Sequence, residues 1–144
     1  MACGGKREQE ASHAPYFSLK DVNDRTVTLE DFKGEPFVLV FWATWCSTCL
    51  KEIPLLNKLT QEGHRVVTVT LNRDREHVKR FIEEHRIIYP VLMSTYHVTI
   101  NYGNIRFLPT TFLINAQGYI VGKSVGMFPE EEAQRLFKET RQKP

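Results

Sequence analysis

The chain reads as an α/β domain, a central mixed β-sheet with helices on both faces. Three observations carry that prediction. Pro36 to Phe41 is a short apolar run without charge, the pattern of a buried strand, and it leads into a stripe of Leu50, Ile53, Leu56 and Leu59 at helical spacing. Arg65 to Leu71 is rich in β-branched residues and reads as a second, central strand. Strand and helix patterns alternate along the chain and finish in a hairpin and a helix, an order that builds a mixed sheet covered on both sides.

The elements follow in order. Met1 to Pro15 is polar and without periodicity, so residues 1–15 are expected to be a disordered tail and residues 16–144 the folded domain. Tyr16 to Leu19 and Arg25 to Leu29 are strand candidates around the turn Asp21-Val22-Asn23-Asp24. Leu29 to Gly34 suggests a short helical turn stopped by glycine. The helix after the buried strand contains Pro54, which has no N–H to donate and should kink it, and it ends near Glu62-Gly63.

After the central strand, Asn72-Arg73-Asp74 starts a helix with Val78, Phe81, Ile82 and His85 as its apolar stripe. Ile87 to Met93, interrupted by Pro90, reads as a short strand with a turn before it. Ser94 to Asn104 is taken as helical with a glycine stop at Gly103. Thr110 to Ile114 and Tyr119 to Val125 are hairpin strands joined by Asn115-Ala116-Gln117-Gly118. Pro129 opens the last helix, with acids in its first turn and Ala133, Leu136 and Phe137 on its inner face.

Bulk composition narrows the function. A chain of 144 residues forms one domain with a proper core, and its 42% hydrophobic and 25% charged residues are ordinary for a water-soluble fold. A net charge of +2 implies no general attraction to nucleic acid. Three cysteines are too few for a disulfide-stapled scaffold. Two of them, Cys46 and Cys49, form a CxxC at the point where the buried strand hands over to the helix. Unpaired N–H groups and the helix dipole favour an anion there, so Cys46 is read as a thiolate nucleophile. Cys49 lies one turn later on the same face, within the Cα separation of about 4.4–6.8 Å that a disulfide needs. The implied chemistry is thiol–disulfide exchange: Cys46 attacks and Cys49 resolves the mixed disulfide.

The segment Phe41-Trp42-Ala43-Thr44-Trp45-Cys46-Ser47-Thr48-Cys49 closely resembles the active-site segment of thioredoxin-fold proteins. Glu52-Ile53-Pro54 and Leu108-Pro109-Thr110-Thr111-Phe112 resemble its TlpA/ResA branch of exported thiol-disulfide oxidoreductases, several of which serve cytochrome c maturation. The resemblance runs from about Tyr16 to Glu139. It implies an N-terminal β-hairpin extension, a helix-strand insert over about residues 74–92, and no dissociable cofactor beyond the redox-active disulfide. It also implies a cis Pro109 in the loop facing the CxxC, with Trp45, Leu108, Pro109 and Thr110 forming the docking surface for an extended substrate segment. Trp42 is expected in the core. The implied partners are a protein dithiol or disulfide and an upstream thiol donor, with electrons flowing toward the substrate, in the bacterial periplasm or on the outer face of the cytoplasmic membrane. A monomer is expected. Cys3-Gly4-Gly5 resembles the mature start of a lipoprotein, which makes Cys3 a candidate lipid anchor.

The sequence departs from the pattern at the proton acceptor. Thioredoxin's buried aspartate is replaced by Val40, and the place of a ResA-like glutamate falls near Arg73. Asp74 and Glu52 are the candidates to take the Cys49 proton, with Glu52 read primarily as a solvated helix carboxylate. Arg73 would favour the thiolate. Ser47 or Thr48 would donate a hydrogen bond to it. The competing function is a zinc or copper module using Cys46 and Cys49. No second CxxC accompanies the pair, and His97 is the best copper candidate among five scattered histidines. A peroxiredoxin-type peroxidase ranks last, because its threonine-assisted cysteine pattern is absent.

Overall fold

The computed structural model describes residues 12–142. Its strands are β1 (Ser12–His13), β2 (Ser18–Asp21), β3 (Thr26–Thr28), β4 (Phe37–Trp42), β5 (Arg65–Thr70), β6 (Val91–Met93), β7 (Thr110–Ile114) and β8 (Tyr119–Val125). The helices are α1 (Ser47–Lys51), α2 (Ile53–Gln61), α3 (Arg75–His85), α4 (Tyr96–Asn101) and α5 (Glu130–Gln142), with a 3₁₀ turn at Leu29–Phe32. The strands form one sheet in the order β1-β8-β7-β4-β5-β6-β2-β3. Strand β5 pairs in parallel with β4 and β6, and every other pair is antiparallel.

Strand β4 is buried at all six positions because both its faces are covered. Alternate side chains serve different cores, as the two-residue period requires. Val38, Val40 and Trp42 pack with Cys49, Ile53 and Leu56 of α1 and α2, with Val78 and Phe81 of α3, and with Ala133 and Leu136 of α5. Phe37, Leu39 and Phe41 pack on the other side with Phe17, Leu29, Val98 of α4, Tyr102 and Phe112. The mixed sheet with helices on both faces is thus the predicted architecture. The β2–β3 hairpin lies at the sheet edge beyond β6, and α3–β6 is the helix-strand insert. Helix α4 is followed by Gly103 at φ +93°, a conformation glycine adopts without strain.

Two boundaries differ from the sequence reading. The tail expected over residues 1–15 is ordered at its end: Ser12 and His13 pair with Ile120 and Tyr119, His13 stacks on Tyr119, and Ala14 is buried. An isolated dipeptide has no periodicity to detect; its partner strand supplies the structure. The helix expected to kink at Pro54 is instead two helices that meet at Glu52. Pro54 falls in the first turn of α2, where its missing N–H costs no helical bond. Cys3 lies outside the described residues.

Phe41 is fully buried, its ring 5.6 Å from Tyr102 and 5.9 Å from Phe112. Replacing Phe41 with alanine should lower the unfolding free energy by about 3–5 kcal/mol, read from urea denaturation. A loss under about 1 kcal/mol would show that this layer repacks.

Candidate active site

The site begins where β4 ends. Leu71 N donates to Trp42 O at 2.9 Å, Thr44 N to Asn72 Oδ1 at 3.0 Å, and Cys46 N to Ala43 O at 3.2 Å. This turn leaves Trp45 on the surface, 66% exposed, and delivers Cys46 to the N-cap of α1. Cys46 and Cys49 are joined in a disulfide with Cα atoms 5.2 Å apart. Cys49 N donates to Cys46 Sγ at 3.2 Å, so an unpaired amide at the helix start faces the more accessible sulfur. Cys46 is half-buried and Cys49 is 4% exposed, an asymmetry that presents Cys46 to a partner and hides Cys49.

Glu52 corrects the sequence reading. It is buried instead of solvated, its Oε2 accepts from Phe128 N at 2.8 Å, and its Oε1 has no hydrogen-bond partner among the described residues. Burial holds its carboxyl above the usual carboxylate range, and the Phe128 amide offsets this in part. Tyr89 is buried as well; desolvation, with a smaller contribution from the Glu52 charge, pushes its hydroxyl up. The signal for an inward Glu52 was present, since Cys49, Glu52 and Leu56 follow a three-then-four spacing on one helical face.

The cis-proline loop lies at the start of β7, beside β8. The Leu108–Pro109 peptide is cis. Gly126 N donates to Pro109 O at 2.8 Å, and Thr110 pairs with Val125. Phe128, three residues after Val125, then reaches Glu52, so hydrogen bonds connect the cis-proline loop to the carboxyl one turn beyond Cys49. Thr110 is buried, and its hydroxyl donates to Phe107 O at 2.6 Å; it closes the loop internally. Phe107 and Met127 are 69% and 81% exposed on the two segments that flank Pro109.

The remaining candidates stand apart from this arrangement. Asp74 is exposed and caps α3, its Oδ1 accepting from His77 N at 3.2 Å. Arg73, Ser47 and Thr48 are exposed, and the Cys49 amide occupies the donor role expected of Ser47 or Thr48. Trp42 is in the core against Phe81, with a ring separation of 5.7 Å. His97 is exposed on α4 beside Tyr96. Among the described residues no three His, Cys, Asp or Glu side chains converge as a metal site.

Comparison with known proteins agrees with this geometry. The Redoxin family profile matches residues 9–138. The chain belongs to the Redoxin family. Among curated relatives, the thiol-disulfide oxidoreductase ResA of Bacillus subtilis (strain 168) is 33% identical over 131 residues, covering 88% of this chain and 73% of ResA. The Chlorobium tepidum TLS thiol:disulfide interchange protein of the thioredoxin family superposes with a TM-score of 0.79 at 29% identity, covering 90% of this chain and 96% of that one. The exposed lipoprotein thioredoxin Etrx1 of Streptococcus pneumoniae strain TIGR4 gives 0.74 at 27%, covering 87% and 99%. This Redoxin-family chain is thus a thioredoxin-fold thiol-disulfide oxidoreductase, similar to ResA, with a CxxC pair at disulfide distance.

The raised Glu52 carboxyl has a thermodynamic consequence. Below the ordinary value of 4.5 the carboxyl is protonated in both folded and unfolded chains and carries no penalty. As pH rises through 4.5 the unfolded chain releases the proton first, so this group lowers stability until its raised folded value is passed. Glu52→Gln should therefore raise Tm relative to the parent at neutral pH, with the difference shrinking as the buffer approaches pH 4.5. A difference independent of pH would place the Glu52 carboxyl in the ordinary range.

Proposed function

We propose that Cys46 is the attacking nucleophile and Cys49 the resolving thiol in reduction of disulfides in exported proteins. The observation that carries this reading is the asymmetric pair itself: a more accessible sulfur at a helix N-cap and a buried partner backed by a buried carboxyl. The Cys46 thiolate attacks a substrate disulfide, forming one mixed S–S bond and releasing one substrate thiolate. Cys49, deprotonated with Glu52 as proton acceptor, attacks the Cys46 sulfur, releasing the second substrate thiol and closing the Cys46–Cys49 bond. Two electrons pass to the substrate, and an upstream thiol donor restores the dithiol.

Docking uses the exposed Trp45 with Leu108 and Pro109, against which an extended substrate segment lies by strand addition. Phe107 and Met127 widen the apolar rim, and Thr110 supports the loop from within. The site lies on the outer side of the cytoplasmic membrane, with Cys3 as the point of lipid attachment; the resemblance to an exposed lipoprotein thioredoxin supports this reading. Apocytochrome c is the substrate class that the ResA-like resemblance favours.

Three experiments test this. Cys49→Ser should accumulate a mixed disulfide with a reducible protein, whereas Cys46→Ser should form none; the reverse pattern would exchange the two roles. A redox titration followed by thiol trapping should give a two-electron couple near or below about −270 mV. A value near about −120 mV would make the protein a disulfide donor. Trp45→Ala should raise KM for a protein disulfide by about tenfold with little change toward a small-molecule disulfide. An equal effect on both would assign Trp45 to the chemistry of the thiol.

A further inference from the structure

The turn before Cys46 is held by a polar network. Strands β4 and β5 run in parallel with Trp42 opposite Thr70, a register that would bring Thr44 opposite Asn72. The ladder does not continue in backbone form. Thr44 N instead donates to the side-chain carbonyl of Asn72 at 3.0 Å. Asn72 is 7% exposed, and both its side-chain oxygen and its side-chain nitrogen are hydrogen-bonded. Its Oδ1 also accepts from Thr70 Oγ1 at 2.6 Å, and its Nδ2 donates to Thr44 Oγ1 at 2.8 Å. A backbone N–H can only donate, so Oδ1 must face Thr44 N and the amide orientation is determined. The Thr44 hydroxyl also lies 3.3 Å from His77 Nε2 on α3, a hydrogen bond whose direction is set by the imidazole tautomer.

The geometry points to Asn72 as a positioning residue for thiol–disulfide exchange, acting through Thr44 to hold the Trp45–Cys46 turn against the end of the sheet. Thr44 is clamped at both its amide and its hydroxyl by one side chain. Cys46 lies two residues on, and its sulfur is served by the Cys49 amide only while that turn aligns it with the start of α1. Helix α1 has five residues and supplies little rigidity of its own. Rigidity at the nucleophile therefore comes from β5 through Asn72, and a thiolate held in line with its target reacts faster than one that must be reoriented.

This inference rests on Cys46 being the nucleophile, and its test reads the thiol without a protein substrate. In a Cys49→Ser background, alkylation of Cys46 by iodoacetamide is followed against pH, and the dithiol form of each variant is reacted with Ellman's reagent. Asn72→Leu, similar in size but without polar atoms, should move the alkylation midpoint to higher pH and slow the disulfide reaction about tenfold. Thr44→Val should shift both in the same direction by less, and Thr44→Ser, which keeps the hydroxyl, should restore the parental profile. A folded Asn72→Leu variant with an unchanged midpoint and rate would reduce Asn72 to a structural role and overturn the proposal. If Asn72→Leu does not fold, the Thr44 pair decides: coincident profiles for Val and Ser at that position overturn it as well. A parent that alkylates at Cys46 but reduces no protein disulfide would count against the proposed function and leave this result readable.

Discussion

Strand β4 has no solvent face, and the rest of the molecule depends on that. Its parallel pairing with β5 and antiparallel pairing with β7 satisfy its backbone on both edges, and two separate cores satisfy its side chains. A strand buried on every side has one register and one exit. That exit delivers Cys46 to the start of α1, with β7 and its cis-proline loop alongside on one edge and β5 with Asn72 on the other.

The electrostatics of the site follow from depth. Cys46 sits where a helix begins, within reach of an amide whose helical partner is missing, so negative charge on its sulfur is solvated by the fold. Cys49 and Glu52 lie deeper, in a cluster that includes Trp42, Tyr89 and Phe128, where each charge costs more than it does in water. Among the described residues only one Glu52 oxygen has a partner, the Phe128 amide, and desolvation favours holding a proton more strongly than that amide opposes it.

Much of the molecule was legible in one dimension. The apolar run 36–41, the β-branched run 65–71 and the hairpin 110–125 each carry a local period strong enough to identify them, and the CxxC names its own chemistry. The hydrogen-bond partner of Glu52, the capping role of Asp74 and the end of the tail were not legible in the same way. Glu52 and Asp74 are both carboxylates near a helix start; one is turned into a core and the other caps a helix, and the distinction arises from Phe128, which is 76 residues from Glu52 in sequence. Ser12 and His13 become a strand because β8 offers an open edge.

By itself, then, the sequence determined the fold class and the location of the dithiol, since periodicity, turn residues and a paired cysteine motif are local properties of the chain; the cis-proline loop was legible only through the family resemblance of Leu108-Pro109-Thr110-Thr111-Phe112. The tertiary structure alone decided that Glu52 accepts from the Phe128 amide and that Asn72 holds Thr44 in the turn before Cys46. Those are contacts between residues tens of positions apart, and hydrogen-bond geometry and desolvation have no counterpart in residue order.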